Sequence, residues 1–190
     1  MNRRDAIERV ALLVGGTVIG ADFFLSGCTQ PRVEKVNALF NSDMVAFLNE
    51  VGDTILPATA SPGAKAADVG SFMAKMVLDC YTPADQLIFL TGQPKIDEES
   101  QKKFGKKFLD CDAQQRTALL TSLDKAQKQE SKATPKPGNA YQYFAMIKQM
   151  TLLGYFTSEI GCTKALRYVE VPGRYDGNLP YKKGDKAWAT

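Results

Sequence analysis

The sequence predicts an all-α fold: a single helical domain of six or seven helices, followed by an irregular C-terminal tail. Apolar residues recur at helical spacing through most of residues 42–168. Capping residues and turn-forming prolines and glycines separate these segments. Alternation of apolar and polar residues, the pattern of a half-buried strand, never lasts more than a few residues. We therefore expect the helical domain at residues 42–168 and the tail at residues 169–190.

Three helices are predicted in the first half of this domain. Ser42 or Asp43 is expected to cap the first, whose apolar positions are Met44, Phe47, Leu48, Val51 and Ile55. A turn at residues 62–64 precedes the second, whose inward positions are Val69, Phe72, Met73, Met76, Val77 and Cys80. Thr82, Pro83 and Asp85 are the residue types favoured at the start of a helix, and Gly92 is expected to end this third helix.

The second half of the domain contains the remaining helices. Residues 94–109 are typical of a charged surface helix with Ile96, Phe104 and Phe108 facing inward. Asp112, with Gln115 three residues later, is expected to cap the next helix. Residues 127–138 show no apolar periodicity and are predicted to form a loop. A helix follows over residues 140–155, and Ser158 is expected to cap a last short helix that ends near Tyr168.

The first 27 residues have the organisation of a bacterial signal peptide. A charged head precedes an apolar stretch at residues 10–21. Its length of roughly 12 residues suits a signal peptide, whereas a membrane-spanning helix needs about 20. Ser26-Gly27 before Cys28 resembles a lipobox, after which the cysteine becomes the lipidated N-terminus. We expect residues 1–27 to be removed, Cys28 to anchor the protein to a membrane, and residues 28–41 to form a spacer; a buried helix of a cytosolic protein is the alternative.

Arg3 and Arg4 indicate the export route. An arginine pair before a moderately apolar segment is typical of the twin-arginine pathway, which carries folded proteins. Ala6 is a weak match to the apolar residue usual two positions after the pair. Cys28 is followed by Thr29 and Gln30 rather than by an aspartate that would favour retention at an inner membrane. We expect a periplasmic or outer-membrane location.

Composition excludes several kinds of function. The net charge of +3 is too small to indicate nucleic-acid binding. The lysines at 102, 103, 106 and 107 lie near acidic residues 97–99 and are typical of a solvated helix face. The chain contains no histidine, which removes the commonest general base and a frequent zinc or haem ligand. We expect no catalytic residue, no metal site and no cofactor-binding residue in this chain.

The cysteines that remain after Cys28 give no site pattern. Cys80, Cys111 and Cys162 are widely separated, unlike the ligands of a structural metal site. One disulfide with one free thiol, or three buried thiols, are both consistent with the sequence.

The predicted tail is rich in prolines, glycines and aromatic residues. Residues 171–181 hold two prolines and two glycines, which disfavour regular structure. Tyr175, Leu179, Tyr181 and Trp188 are nevertheless too apolar for a freely solvated segment. Because tyrosine, tryptophan and arginine are enriched at protein interfaces, the tail either packs on its own domain or contacts a partner.

Two short segments resemble a known family. The first segment covers residues 58–69 and follows Pro57. Its pattern is Pro57, four further residues, and then Pro62-Gly63-Ala64. Gly-Tyr-Phe-Thr-Ser-x-x-Gly, from Gly154 to Gly161, forms the second. The pair of segments, with the twin-arginine start, resembles the gluconate 2-dehydrogenase subunit 3 family over roughly residues 40–182.

The resemblance implies a multi-subunit enzyme. Members are small subunits of membrane-associated dehydrogenases of sugars and sugar acids, whose FAD lies in a large subunit and whose electrons usually leave through a cytochrome subunit. It therefore implies that this chain is a non-catalytic escort in export and assembly. A lipid anchor departs from the general family pattern. The alternative function is a stand-alone surface lipoprotein that binds a glycan or a protein partner.

The candidate partner interface lies in the second segment and the tail. Residues 154–161 have the pattern of a helix end, a turn and a new helix start, with glycines that allow close backbone approach. They form either an internal packing corner or a contact with the large subunit. The residues predicted for the interface are Gly154, Tyr155, Phe156, Gly161, Arg174, Tyr175 and Tyr181.

Overall fold

The computed structural model describes residues 40–133, 140–171 and 173–189, and these contain six α-helices. The helices are α1 (Ser42–Ile55), α2 (Val69–Cys80), α3 (Pro83–Leu90), α4 (Gly92–Phe104), α5 (Ala113–Ala133) and α6 (Gln142–Phe156). Short 3₁₀ turns span Ala64–Ala67 and Phe108–Asp110, and a π-turn spans Gly161–Ala165. Two-residue strands β1 (Arg167–Tyr168) and β2 (Trp188–Ala189) pair in parallel. The predicted all-α fold with an irregular tail is confirmed.

Helices α1 and α6 form the centre of the domain. Helix α1 packs against α2, α5 and α6, and α6 also packs against α2, α3 and α4. The core side chains that are fully removed from solvent include Phe47, Leu48, Val51, Met73, Val77, Phe89, Ile96, Phe108 and Ile147. Most of these residues are the inward positions that helical spacing predicts.

The helix starts mostly follow the predicted capping chemistry. Thr82 Oγ1 accepts a hydrogen bond from Asp85 N at 3.3 Å, with Pro83 as the first helical residue. Asp112 and Gln115 bond reciprocally, each side chain accepting from the other's backbone N–H. For α1 the predicted cap is wrong: Asn41, not Ser42 or Asp43, accepts from Met44 N at 2.9 Å.

Helix α4 begins and ends earlier than predicted. Gly92 does not end α3; it is the first residue of α4, and a Cβ there would lie 2.8 Å from Ile147 Cδ1. Gly105, at φ 70°, ends α4, so residues 105–109 lie outside the α-helix, contrary to the prediction. Phe108 lies in the following 3₁₀ turn and is buried there. Its N–H donates to Asp97 Oδ1 at 2.9 Å.

Two further boundaries differ from the prediction. Helix α5 continues to Ala133, so residues 127–133 are helical rather than part of a loop. Their lysine, glutamine, glutamate and alanine residues are strong helix formers, which extend a helix without an apolar face. Ser158 Oγ does accept from Gly161 N at 3.0 Å, but the turn that it caps ends at Ala165, and Arg167–Tyr168 is a strand.

The described cysteines are free thiols. Cys111 is buried and its Sγ lies 3.2 Å from Ser100 Oγ, whereas Cys80 is exposed and Cys162 half-buried. The structure therefore shows neither the disulfide nor the set of three buried thiols that the sequence allowed. The predicted export residues Arg3 and Arg4, the predicted lipidation site Cys28 and nearly all of the predicted spacer lie outside the described residues.

Candidate partner interface

The two motif segments meet in the folded domain. Tyr155 is only 4% exposed, and its hydroxyl donates a hydrogen bond to the Pro62 carbonyl oxygen at 2.6 Å. The Pro62–Ala64 turn is held in addition by Ala64 N, which donates to Leu56 O at 2.9 Å. A corner is thus formed by the end of α1, the first motif and the last turn of α6.

The two glycines of the second motif are required by close packing. A Cβ on Gly154 would lie 2.6 Å from Phe72 Cδ1 on α2. A Cβ on Gly161 would lie 1.8 Å from the Tyr155 carbonyl oxygen, a distance that no real contact allows. Both glycines therefore let backbone and ring atoms approach where any side chain would collide.

The predicted interface residues divide into two groups. Gly154, Tyr155 and Gly161 are buried and serve the internal corner that the sequence left as one of two alternatives. Phe156 is 39% exposed, and Tyr175 and Tyr181 are 95% and 75% exposed. Arg174 is also exposed. Only this second group presents side chains to solvent, and its contact with a partner stays a prediction.

An apolar patch lies at the end of α6. Leu152, Leu153 and Phe156, here named the α6 patch, are 38%, 40% and 39% exposed. Residues three and four apart are neighbours on a helix surface, so Phe156 lies beside both leucines. The Phe156 ring also packs edge-on against Tyr155, with ring centroids 5.1 Å apart. The patch is thus held by the corner beneath it.

The C-terminal segment is fastened at both ends. Arg167 N donates to Ala187 O and Val169 N to Ala189 O, each at 2.9 Å. The Arg167 guanidinium lies over the Trp188 ring at 4.2 Å and its Nε donates to Lys186 O at 2.8 Å. Residues 170–171 and 173–186, here named the C-terminal loop, are therefore closed by the pairing of β1 with β2.

The C-terminal loop and its flanking residues border an open concavity of about 540 Å³. Its described lining residues are Val169, Gly173, Arg174, Tyr175, Asp176, Leu179 and Trp188. Most of this lining is apolar or aromatic, with one guanidinium and one carboxylate. That balance is the usual one for a recognition pocket.

Charged groups tie α1 to the corner. Glu50 pairs with Lys65, in the first motif, and with Arg116 of α5, whose Nη1 lies 2.7 Å from Glu50 Oε2. The hydrogen bond from Lys65, with the charge of Arg116, holds the pKa of Glu50 below its ordinary value. Arg116 also donates to the carbonyl oxygens of Phe108 and Leu109.

Asn49 supplies a cap that sequence spacing does not reveal. Its Oδ1 accepts from Gly70 N and its Nδ2 donates to Asp68 Oδ1, both at 2.8 Å. It thereby provides an acceptor for the Gly70 N–H in the first turn of α2 and holds Asp68, which precedes that helix at φ 48°. Asn49, Glu50 and Arg116 carry no local motif, so only the fold identifies their roles.

Among the described residues, no group of three or more cysteine, aspartate or glutamate side chains is arranged to hold a metal ion. Burial raises the pKa of Tyr143 to about 12, so this phenol stays protonated at neutral pH. No helix in the described part of the chain is long and apolar enough to cross a membrane.

Comparison with known families identifies the family of this chain. The sequence model of gluconate 2-dehydrogenase subunit 3 matches residues 42–173, which is most of the chain. The protein belongs to the gluconate 2-dehydrogenase subunit 3 family. No curated protein and no solved structure shows a significant match.

The family match covers the helical domain and both motif segments. The Tyr155–Pro62 corner and the α6 patch lie within it, while Tyr175, Leu179, Tyr181 and Trp188 follow its last residue. The family is named for subunit 3 of gluconate 2-dehydrogenase, an enzyme of several subunits. The match therefore covers the helical domain and the first residues of the C-terminal loop, and most of the loop follows it.

Proposed function

We propose that this chain is a non-catalytic small subunit of a flavin-dependent sugar or sugar-acid dehydrogenase, and that it escorts the large subunit in export and assembly. FAD belongs to the large subunit in this proposal, and a cytochrome subunit accepts the electrons. The chain itself contributes a binding surface. Family membership supports the association with such an enzyme.

The observation that carries the proposal is the α6 patch. Three large apolar side chains, each about 40% exposed, lie side by side at the end of the helix that bears the second motif. Their removal from water would contribute about 25 cal/mol for each Å² of apolar surface buried. Since the corner beneath them is fixed by the Tyr155–Pro62 hydrogen bond, the patch is pre-ordered for a partner.

The N-terminal residues supply the escort role in this proposal. A flavoprotein loads FAD before it leaves the cytoplasm, and the twin-arginine route carries folded proteins. Arg3 and Arg4 of this chain would then direct both subunits across the membrane. Lipid on Cys28 would hold the assembled enzyme at the periplasmic or outer-membrane face.

Native co-purification tests the proposal. The full chain, tagged at its C-terminus and solubilised in detergent from its own host, should bring down a partner with a bound-flavin absorption spectrum. The partner's sugar-dependent reduction of a dye would identify the substrate. A monodisperse monomer without any flavoprotein would overturn the proposal and favour the stand-alone lipoprotein.

A matched pair of variants tests the surface. Leu152→Glu places a charge in the α6 patch and should abolish recovery of the flavoprotein. Leu87→Glu makes the same change at a leucine of α3 that is 68% exposed, and should leave recovery unchanged. Circular dichroism of both variants would establish that the helices remain folded. Equal recovery with both would assign the contact to a different surface.

A further inference from the structure

We propose that the concavity of the C-terminal loop receives an apolar side chain from an acidic surface of the flavoprotein large subunit, an assignment that rests on the function proposed above. The α6 patch and the loop would then form two parts of one interface. Four features of the described residues support this occupant.

The first feature is the closure of the loop. Two backbone hydrogen bonds, the stacking of Arg167 on Trp188 at 4.2 Å, and the bond from Arg167 Nε to Lys186 O fasten its two ends. A segment held in this way loses less conformational entropy on binding than a free tail would. The pairing of β1 with β2 therefore prepares the loop for a partner.

The second feature is the exposed apolar lining. Tyr175, Leu179 and Trp188 line the concavity although they are 95%, 49% and 50% exposed. Contiguous exposed apolar surface of this kind marks interaction sites on soluble proteins. The volume of about 540 Å³ is large enough for a bulky apolar or aromatic side chain with part of its flanking backbone.

The third feature is the charge of the segment. Residues 164–186 hold six basic and three acidic side chains. Two of the carboxylates are engaged by their own backbone: Asp176 Oδ1 accepts from Asn178 N, and Asp185 Oδ2 accepts from Lys182 N. Arg174, whose side chain is 84% exposed, lies at the concavity and pairs with Asp176, its Nη2 lying 3.5 Å from Asp176 Oδ2. An acidic partner surface is the complement of this arrangement.

The fourth feature favours a protein over a membrane. Tryptophan and tyrosine beside lysine and arginine also occur where proteins meet lipid headgroups. Here, however, the Trp188 ring is stacked on Arg167 of its own chain, and the surface is concave. A bilayer offers no protruding side chain to fill a concavity, whereas the surface of a folded partner can present one.

Site-specific photocrosslinking in the native host tests the assignment. A benzoylphenylalanine at position 175 of the full chain should form an adduct with the flavoprotein, whereas one at position 87 should not. An adduct of position 175 with lipid, with another protein, or with this chain alone overturns the inference. The proposed function is judged separately, because the unmodified chain still shows whether a flavoprotein co-purifies. If it does not, both proposals fail.

Affinity measurements with the purified large subunit test the pocket itself. Tyr175→Ala should weaken binding at least about tenfold, in the range of interface anchor residues. Arg174→Glu should weaken binding and reduce its dependence on salt. Trp188→Phe, which keeps a ring over Arg167, should bind more tightly than Trp188→Ala. Unchanged affinity of Tyr175→Ala and Arg174→Glu, with an intact flavoprotein complex, would overturn the loop assignment alone.

Discussion

The hydroxyl of Tyr155 donates to the carbonyl oxygen of Pro62 at 2.6 Å, across 93 positions of sequence. This bond joins the two segments by which the sequence resembles its family. It fixes the last turn of α6 against the turn that follows α1. The two motif segments therefore form one structural feature, a buried corner with an exposed patch on its outer side.

Loss of this hydrogen bond should destabilise the domain measurably. Tyr155→Phe keeps the buried ring but leaves the Pro62 carbonyl without its donor. We expect a loss of about 0.5–1.5 kcal/mol in the free energy of unfolding. Chemical denaturation followed by circular dichroism would measure it. Tyr175→Phe is the matched control, since Tyr175 is 95% exposed and its hydroxyl change should leave stability unaltered.

Substitution of Gly161 should cost more. A Cβ at this position would lie 1.8 Å from the Tyr155 carbonyl oxygen, so the π-turn or the end of α6 must move. We expect Gly161→Ala to lower the unfolding free energy by about 1–3 kcal/mol or more, as overpacking does. Gly173→Ala is the control, because its Cβ would meet nothing within 4 Å. Equal thermal midpoints for the two variants would contradict the close packing described here.

Local chemistry made most of the helices predictable. Thr82-Pro83 and the Asp112–Gln115 pair start α3 and α5 as expected, because a cap needs only residues within one turn. The prediction for Gly92 was wrong because a glycine can also allow a neighbouring side chain to approach closely. Ile147 and Tyr143 pack against Gly92, which is the first residue of α4. Sequence spacing cannot distinguish a glycine that ends a helix from one that admits a neighbour.

The candidate site was predictable only in part, for a related reason. The second motif was recognisable as a turn, but burial of Tyr155 and exposure of Phe156 depend on which side of α6 meets Pro62 and Phe72. Closure of the C-terminal loop depends on the pairing of two two-residue strands, which is too short to leave a pattern. Contacts between residues far apart in sequence decide both features.

Removal of the Asn49 cap should weaken the start of α2. Asn49→Ala leaves Gly70 N without its acceptor and removes one of the hydrogen-bond donors to Asp68. We expect a loss of about 1 kcal/mol in the unfolding free energy, typical of a lost cap. Asn178→Ala, in the exposed loop, should change little.

The variant Asn49→Ala should also change the pKa of Asp68. Burial opposes the charge of Asp68, but the hydrogen bonds from Asn49 and Ser71 outweigh it and keep the pKa of Asp68 below its ordinary value. Asn49→Ala should therefore raise the pKa of Asp68, as carboxyl chemical shifts during a pH titration would show. An unchanged titration of Asp68 would mean that Asn49 does not stabilise the carboxylate.

The Glu50 ion pairs predict acid sensitivity. The hydrogen bond from Lys65 and the charge of Arg116 keep the folded-state pKa of Glu50 below its ordinary value of 4.5. Stability from a depressed carboxyl pKa is fully present above the unfolded value and is lost as the pH falls through the folded value. We expect Glu50→Gln to lose stability at neutral pH and to show a shallower decline below pH 4.5.

The control for Glu50 is a glutamate without such partners. Glu159 is exposed and forms no ion pair with any described residue. Glu159→Gln should therefore leave the unfolding free energy at neutral pH unchanged. If Glu50→Gln also left it unchanged, the ion pairs with Lys65 and Arg116 would contribute no net stability.

Variants at the N-terminus should separate export from anchoring. Cys28→Ala removes the proposed acylation site and with it the apolar chains that would anchor the protein, each methylene of which contributes about 0.8 kcal/mol in a bilayer. We expect this variant to be exported but to remain soluble or uncleaved. Arg3→Lys with Arg4→Lys should instead leave the protein, and its proposed flavoprotein partner, in the cytoplasm. Fractionation with detection of both subunits would measure this. Normal export of the double lysine variant would indicate the general secretory route, which carries unfolded chains and cannot deliver a flavin-loaded partner.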